Sequence, residues 1–215
     1  MATQQLPATQ LPANQLPPVP QQIGVFDQLV AKQTETLILR EKVMSLSGDS
    51  FEIKLASGQP VLQVRGSVMS ISGRKSVYDM ANTHLFDIVK EHMHVHTTFA
   101  AKDPQGKKFL EVRNSFFTLL GSKATATFTS PSTGKVETLV MKGNWRDRAE
   151  IVDESAGNAV VARIDRKLLS GRDIFLGSQT YALVVAPGVD MALMAALAIC
   201  LDEKRNEGGG SSFFG

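Results

Sequence analysis

From residue 36 to residue 186 the chain runs in short stretches that alternate apolar and polar positions, the two-residue period of a half-buried strand. The stretches are 36–44, 51–55, 61–64, 68–72, 76–80, 85–89, 93–101, 109–112, 116–120, 124–129, 136–142, 148–152, 159–164, 173–176 and 181–186. Turn chemistry separates them, as in Ser47-Gly48-Asp49, Asp103-Pro104-Gln105-Gly106 and Pro131-Ser132-Thr133-Gly134. About a dozen or more strands in close succession predict antiparallel hairpins. No long helical pattern lies between them, which excludes a Rossmann or TIM arrangement.

One segment breaks the pattern. After Pro187-Gly188-Val189-Asp190, every residue from 191 to 201 is apolar and rich in Ala, Leu and Met, which are helix formers. Asp190 suits the positive end of a helix dipole, and Lys204 and Arg205 suit the other. A helix with no polar face must be surrounded on all sides. With only strands available to surround it, the expected fold is all-β: a closed antiparallel barrel around a central, buried, C-terminal hydrophobic helix. A membrane span over 181–201 is the competing reading, but Pro187, Gly188 and Asp190 fall near its centre, where a carboxylate costs roughly 2.5–3.5 kcal/mol. No transmembrane span is therefore expected.

The ends differ from the body. Residues 1–22 carry the tandem QLPAT, QLPAN, QLPPV from Gln5, with five of the nine prolines and no charge. The domain division expected is a disordered Gln/Leu/Pro-repeat tail over 1–31, one domain over 32–206, and a flexible Gly/Ser tail over 207–215. Residues 5–20 read either as a solvated tail or as a proline ligand for an SH3- or WW-type protein partner.

The chain has 215 residues, 43% hydrophobic, with a formal charge of +2. Asp27 and Glu207 are the charges outside 32–206, leaving 23 cations against 19 carboxylates in the body. That balance, with one Trp and two Tyr, argues against nucleic acid as a partner. A single cysteine, Cys200, excludes a disulfide framework and fits a cytoplasmic setting; inside an apolar helix it reads as an inert thiol.

Asp173-Ile174-Phe175-Leu176-Gly177, then Tyr181–Val185 and Ala186-Pro187-Gly188-Val189-Asp190 running into the apolar helix, resemble the LURP-one-related family. Lys142-Gly143-Asn144-Trp145, Ala149-Glu150-Ile151-Val152 and Val160-Val161-Ala162-Arg163, with the stretch 69–79, carry the likeness through the body. That family belongs to the tubby C-terminal-like superfamily, which includes the phospholipid scramblases. The resemblance implies a twelve-stranded antiparallel barrel enclosing the helix, no enzyme and no cofactor. It also implies a setting in plant stress or defence, and, by way of tubby-type relatives, anionic phospholipid at the inner face of the plasma membrane. The chain lacks the cysteine-rich run of the scramblases and the dense Arg/Lys cluster of tubby proteins, so no headgroup-binding residues carry over by motif.

The candidate chemistry is thin. No nucleophile elbow, phosphate-cradling glycine loop or convergent carboxylate pair is visible. His92, His94 and His96 on one strand would share a face and form a weak metal candidate, although same-face neighbours stand nearly 7 Å apart. For anions the preferred group is Arg166, Lys167 and Arg172, one loop flanked by Asp165 and Asp173. Secondary groups are Arg74 with Lys75, Lys107 with Lys108, and Arg146 with Arg148. Weak binding of anionic phospholipid headgroups is the first functional expectation. Recruitment of a protein partner by the barrel surface or the proline tail is the second, and scramblase-like lipid transport the third.

Overall fold

A computed structural model of the chain describes residues 15–40, 50–66, 74–93, 96–114, 124–131, 134–144, 148–165, 168 and 180–209. The strands, in chain order, are β1 (Glu35–Arg40), β2 (Ser50–Leu55), β3 (Pro60–Gly66), β4 (Lys75–Asp79), β5 (His84–Met93) and β6 (His96–Lys102). They continue with β7 (Lys108–Asn114), β8 (Ala124–Thr129), β9 (Val136–Asn144), β10 (Arg148–Asp153), β11 (Ala159–Asp165) and β12 (Thr180–Val185), and end in helix α1 (Met191–Gly209). Each strand pairs antiparallel with its neighbour in sequence, and β12 pairs with β1 from Glu35↔Val185 to Arg40↔Thr180, closing a twelve-stranded barrel. Closure removes every sheet edge. The predicted stretches 68–72, 116–120 and 173–176 lie outside the described residues.

The core follows from the alternation. Leu62 and Val64, Phe86 and Ile88, Leu110 and Val112, and Ala126 and Phe128 are buried at every second position of their strands. β12 is buried along nearly its whole length, as its unbroken apolar run requires. Residues 192–201 of α1 are each at most 6% exposed and join the same core cluster. The helix outruns its apolar stretch by eight residues, to Gly209. Asp202 to Glu207 are mostly good helix formers, and past the apolar run the helix no longer needs apolar side chains. Residues 207–209, expected in the flexible tail, are thus helical. The window weighed as a membrane span is divided between β12 and α1, and among the described residues no helix is long and apolar enough to cross a membrane.

Two expectations need correction. First, residues 15–31 are docked rather than disordered. Leu16, Ile23 and Ala31 are buried, and Phe26 stacks on Phe86 at 5.6 Å and meets Phe109 edge-on at 5.9 Å. The backbone of this arm pairs with the link between β12 and α1. Val19 and Ile23 donate to the Pro187 and Gly188 carbonyls, Ala31 donates to Val189, and Gly188 and Asp190 donate back to Ala31 and Ile23. Composition could not reveal this, because backbone groups supply most of the bonds. Second, 93–101 is not one strand. The chain reverses between Met93 and His96, so His92 lies in β5, one residue before its end, while His96 opens β6.

Candidate functional site

Asp190 is the most heavily bonded polar group described. It is fully buried, and one carboxylate oxygen accepts from the Ala192 and Leu193 N–H groups, capping α1. The other accepts from Val25 and Phe26 at 2.9 and 2.8 Å, tying in the arm. Burial pushes this carboxyl above its ordinary value, and the four backbone donors pull against that. Gly24 lies so close that an added Cβ would stand 2.4 Å from the Asp190 Cβ. The sequence marked Asp190 as a helix start; its second role needed knowledge of the arm. It is a structural hub, with no room beside it for a ligand.

The outer wall over β4–β7 carries a line of alternating charge. Glu91 receives Lys102 at 2.7 Å and Lys108 at 3.1 Å; Lys108 also meets Glu111 at 2.6 Å, and Arg113 binds Glu111. Burial pushes the Glu91 carboxyl up, but Lys102 and Lys108 outweigh it and hold it below its ordinary value. Lys108, with Arg113 beside it, lowers Glu111 against burial, while Glu111 and Glu91 raise Lys108. Beside this line, Asp87 accepts from Ser76 at 2.5 Å, contacts His84 at 3.1 Å and faces Arg74 at 3.9 Å. A cleft of about 430 Å³ opens there, with Arg74, Lys90 and Lys102 set against Asp87, Glu91 and Asp103. Its charges balance, so it does not favour an anion.

The carboxylates of the line have depressed values in the fold, so its stabilisation is complete above the unfolded carboxylate range and fades as pH falls below it. Lys108→Met is expected to lower Tm by about 2–4 °C at neutral pH, an effect of about 1 kcal/mol after screening. In thermal melts from pH 7 down to pH 4, the gap to wild type should narrow towards acid. A constant gap would show that the contribution is packing rather than charge.

The sequence candidates fare unequally. Lys75, expected to share an exposed turn with Arg74, is instead the first residue of β4, opposite Ile88, and only 4% exposed. The alternation that buries Val77 buries Lys75 as well. Arg74 stands beside Asp87, and Arg148 faces Asp165 at 4.0 Å. Arg166, Lys167, Arg172, Arg146 and His94 lie outside the described residues, as do the side chains of His92 and His96. The shared histidine face is corrected by the hairpin. His96 pairs with Met93 and His92 with Thr97, so the two positions sit on different strands and on opposite faces of the ladder. Among the described residues no His/Cys/Asp/Glu group could hold a metal.

A family model described as LURP-one-related matches residues 35–202. The chain is similar to the Arabidopsis thaliana protein named Protein LURP-one-related 10, 23% identical over 171 residues that cover 77% of this chain and 88% of that one. It is also similar to Protein LURP-one-related 15 of the same plant, 24% identical, covering 88% and 90%. A third relative, Protein LURP1, is 22% identical, covering 80% and 84%. An X-ray structure of an Arabidopsis thaliana protein aligns with a TM-score of 0.55 over 84% of this chain and 97% of that chain. Its 14% identity speaks to the fold alone.

Proposed function

The chain belongs to the LURP-one-related family, and from that premise we propose that it is a non-catalytic barrel protein that attaches weakly to anionic phospholipid headgroups through basic residues at one rim. The observation that carries this reading is the register of β10 on β11, which stands Arg148 opposite Asp165. Arg146 lies two residues before Arg148, and Arg166 and Lys167 directly follow Asp165. Arg172 belongs to the same β11–β12 connection. Guanidinium groups recognise phosphate oxygens in pairs, and a rim is where a membrane surface can reach them.

Two features favour a surface ligand over an enclosed one. The apolar stretch of α1 fills the barrel interior, and the outer cleft is charge-balanced. Scramblase-like transport would need α1 in a bilayer, whereas residues 192–201 are spent on the core. The setting, on the same family likeness, is the inner face of the plasma membrane in stress or defence signalling.

Co-sedimentation with vesicles containing phosphatidylinositol bisphosphate, against neutral vesicles, tests the reading. At low salt the protein should pellet with the anionic vesicles and be released at physiological salt. Three cations at about 1 kcal/mol each predict that Arg166/Lys167/Arg172→Ala weakens binding roughly a hundredfold. Equal pelleting of wild type and triple variant would place any lipid site elsewhere, and no pelleting at either salt would reject the reading.

A further inference from the structure

In residues 15–20 the two inward positions stand three residues apart. Leu16 is 4% exposed and Val19 is half-buried, while Gln15, Pro17, Pro18 and Pro20 are exposed. A strand would alternate every two residues; a polyproline II helix repeats every three. The hydrogen bonds keep the same spacing. Leu16 donates to the Thr34 hydroxyl at 3.2 Å and accepts from it at 3.0 Å, and Val19 donates to the Pro187 carbonyl. One edge of the segment is thus fastened to the barrel by side chain and backbone. Pro17 and Pro20, one turn apart, form an edge that points away from it.

We propose that the Pro17–Pro20 edge of the docked arm is a docking surface for a proline-reading protein domain, one whose aromatic-lined groove seats proline rings a turn apart. Such grooves gain from a ligand whose extended conformation is already set, since the ordering entropy is spent beforehand. Here the barrel supplies that order: Leu16 and Val19 hold the segment straight while its prolines stay in solvent. The same QLP unit recurs at 5–7 and 10–12, but the ordering contacts described belong to the third copy. This surface is independent of the phosphate reading.

Titration of the full-length chain into a panel of isolated SH3 and WW domains, followed by calorimetry on those that bind, tests it. Pro17→Ala/Pro20→Ala should weaken binding at least tenfold, and Pro7→Ala/Pro12→Ala should leave it unchanged. Thr34→Val, which removes both bonds to Leu16 without touching a proline, should weaken binding several-fold by loosening the arm. Three results overturn the proposal: no domain binds, the Pro7/Pro12 variant loses binding, or Thr34→Val binds as well as or better than wild type.

Discussion

Ala195→Asp is expected to leave no folded barrel in solution. Ala195 is 1% exposed at the middle of the apolar stretch of α1, with Met194, Ala196, Leu197 and Ala198 buried around it. A carboxylate there is packed among apolar side chains, with no route to water through a closed sheet. Burying an unpaired charge costs several kcal/mol, and the extra volume strains a packed interior by about 1–3 kcal/mol more. Against a typical net stability of about 5–15 kcal/mol, that removes most or all of the margin. Val136→Asp serves as the control, because Val136 is 70% exposed. Soluble yield and circular dichroism should separate the two: the Val136 variant soluble and β-rich, the Ala195 variant insoluble or unfolded. A soluble, cooperative Ala195→Asp protein would mean that α1 is not enclosed.

The barrel was legible because its physics is periodic. Inward positions of β3, β7 and β8 alternate, and only enclosure accounts for the eleven-residue apolar run of α1 in an otherwise β chain. The errors fall where period and composition say little. His92-Met93-His94-Val95-His96 contains none of the residues that mark turns, so the reversal between β5 and β6 is silent in the sequence. The buried Leu16, Ile23 and Ala31 stand too far apart to show a strand period, and the arm docks chiefly through backbone bonds to residues 187–190.

The chemistry was harder to read than the fold, for a related reason. Adjacent basic residues look like anion sites along a sequence, but strand register decides what stands opposite them. Register puts Lys102 opposite Asp87 and Arg148 opposite Asp165, and it turns Lys75 towards the core. The line from Lys102 through Glu91 and Lys108 to Glu111 joins three strands and could not be seen in any one of them.

Asp190→Asn should be the most damaging near-isosteric change in the chain, with an expected fall in Tm of roughly 10 °C. The carboxylate answers four N–H donors, two from the arm and two from the first turn of α1. An amide of the same shape keeps one acceptor oxygen and turns an NH2 group towards the remaining pair. Two buried N–H groups then lose their partner and face another donor. At about 1–3 kcal/mol for each unsatisfied group, the loss is roughly 3–5 kcal/mol. Gly24→Ala separates the two halves of the hub. Its Cβ would collide with Asp190 at 2.4 Å on the arm side, while the bonds to Ala192 and Leu193 lie on the helix side. Hydrogen exchange should therefore show the Ile23, Val25, Phe26 and Ala31 amides opened in Gly24→Ala with the start of α1 still protected. In Asp190→Asn both sets should exchange faster. Wild-type melting of Asp190→Asn, or loss of protection at α1 in Gly24→Ala, would show that arm and helix are not joined through this carboxylate.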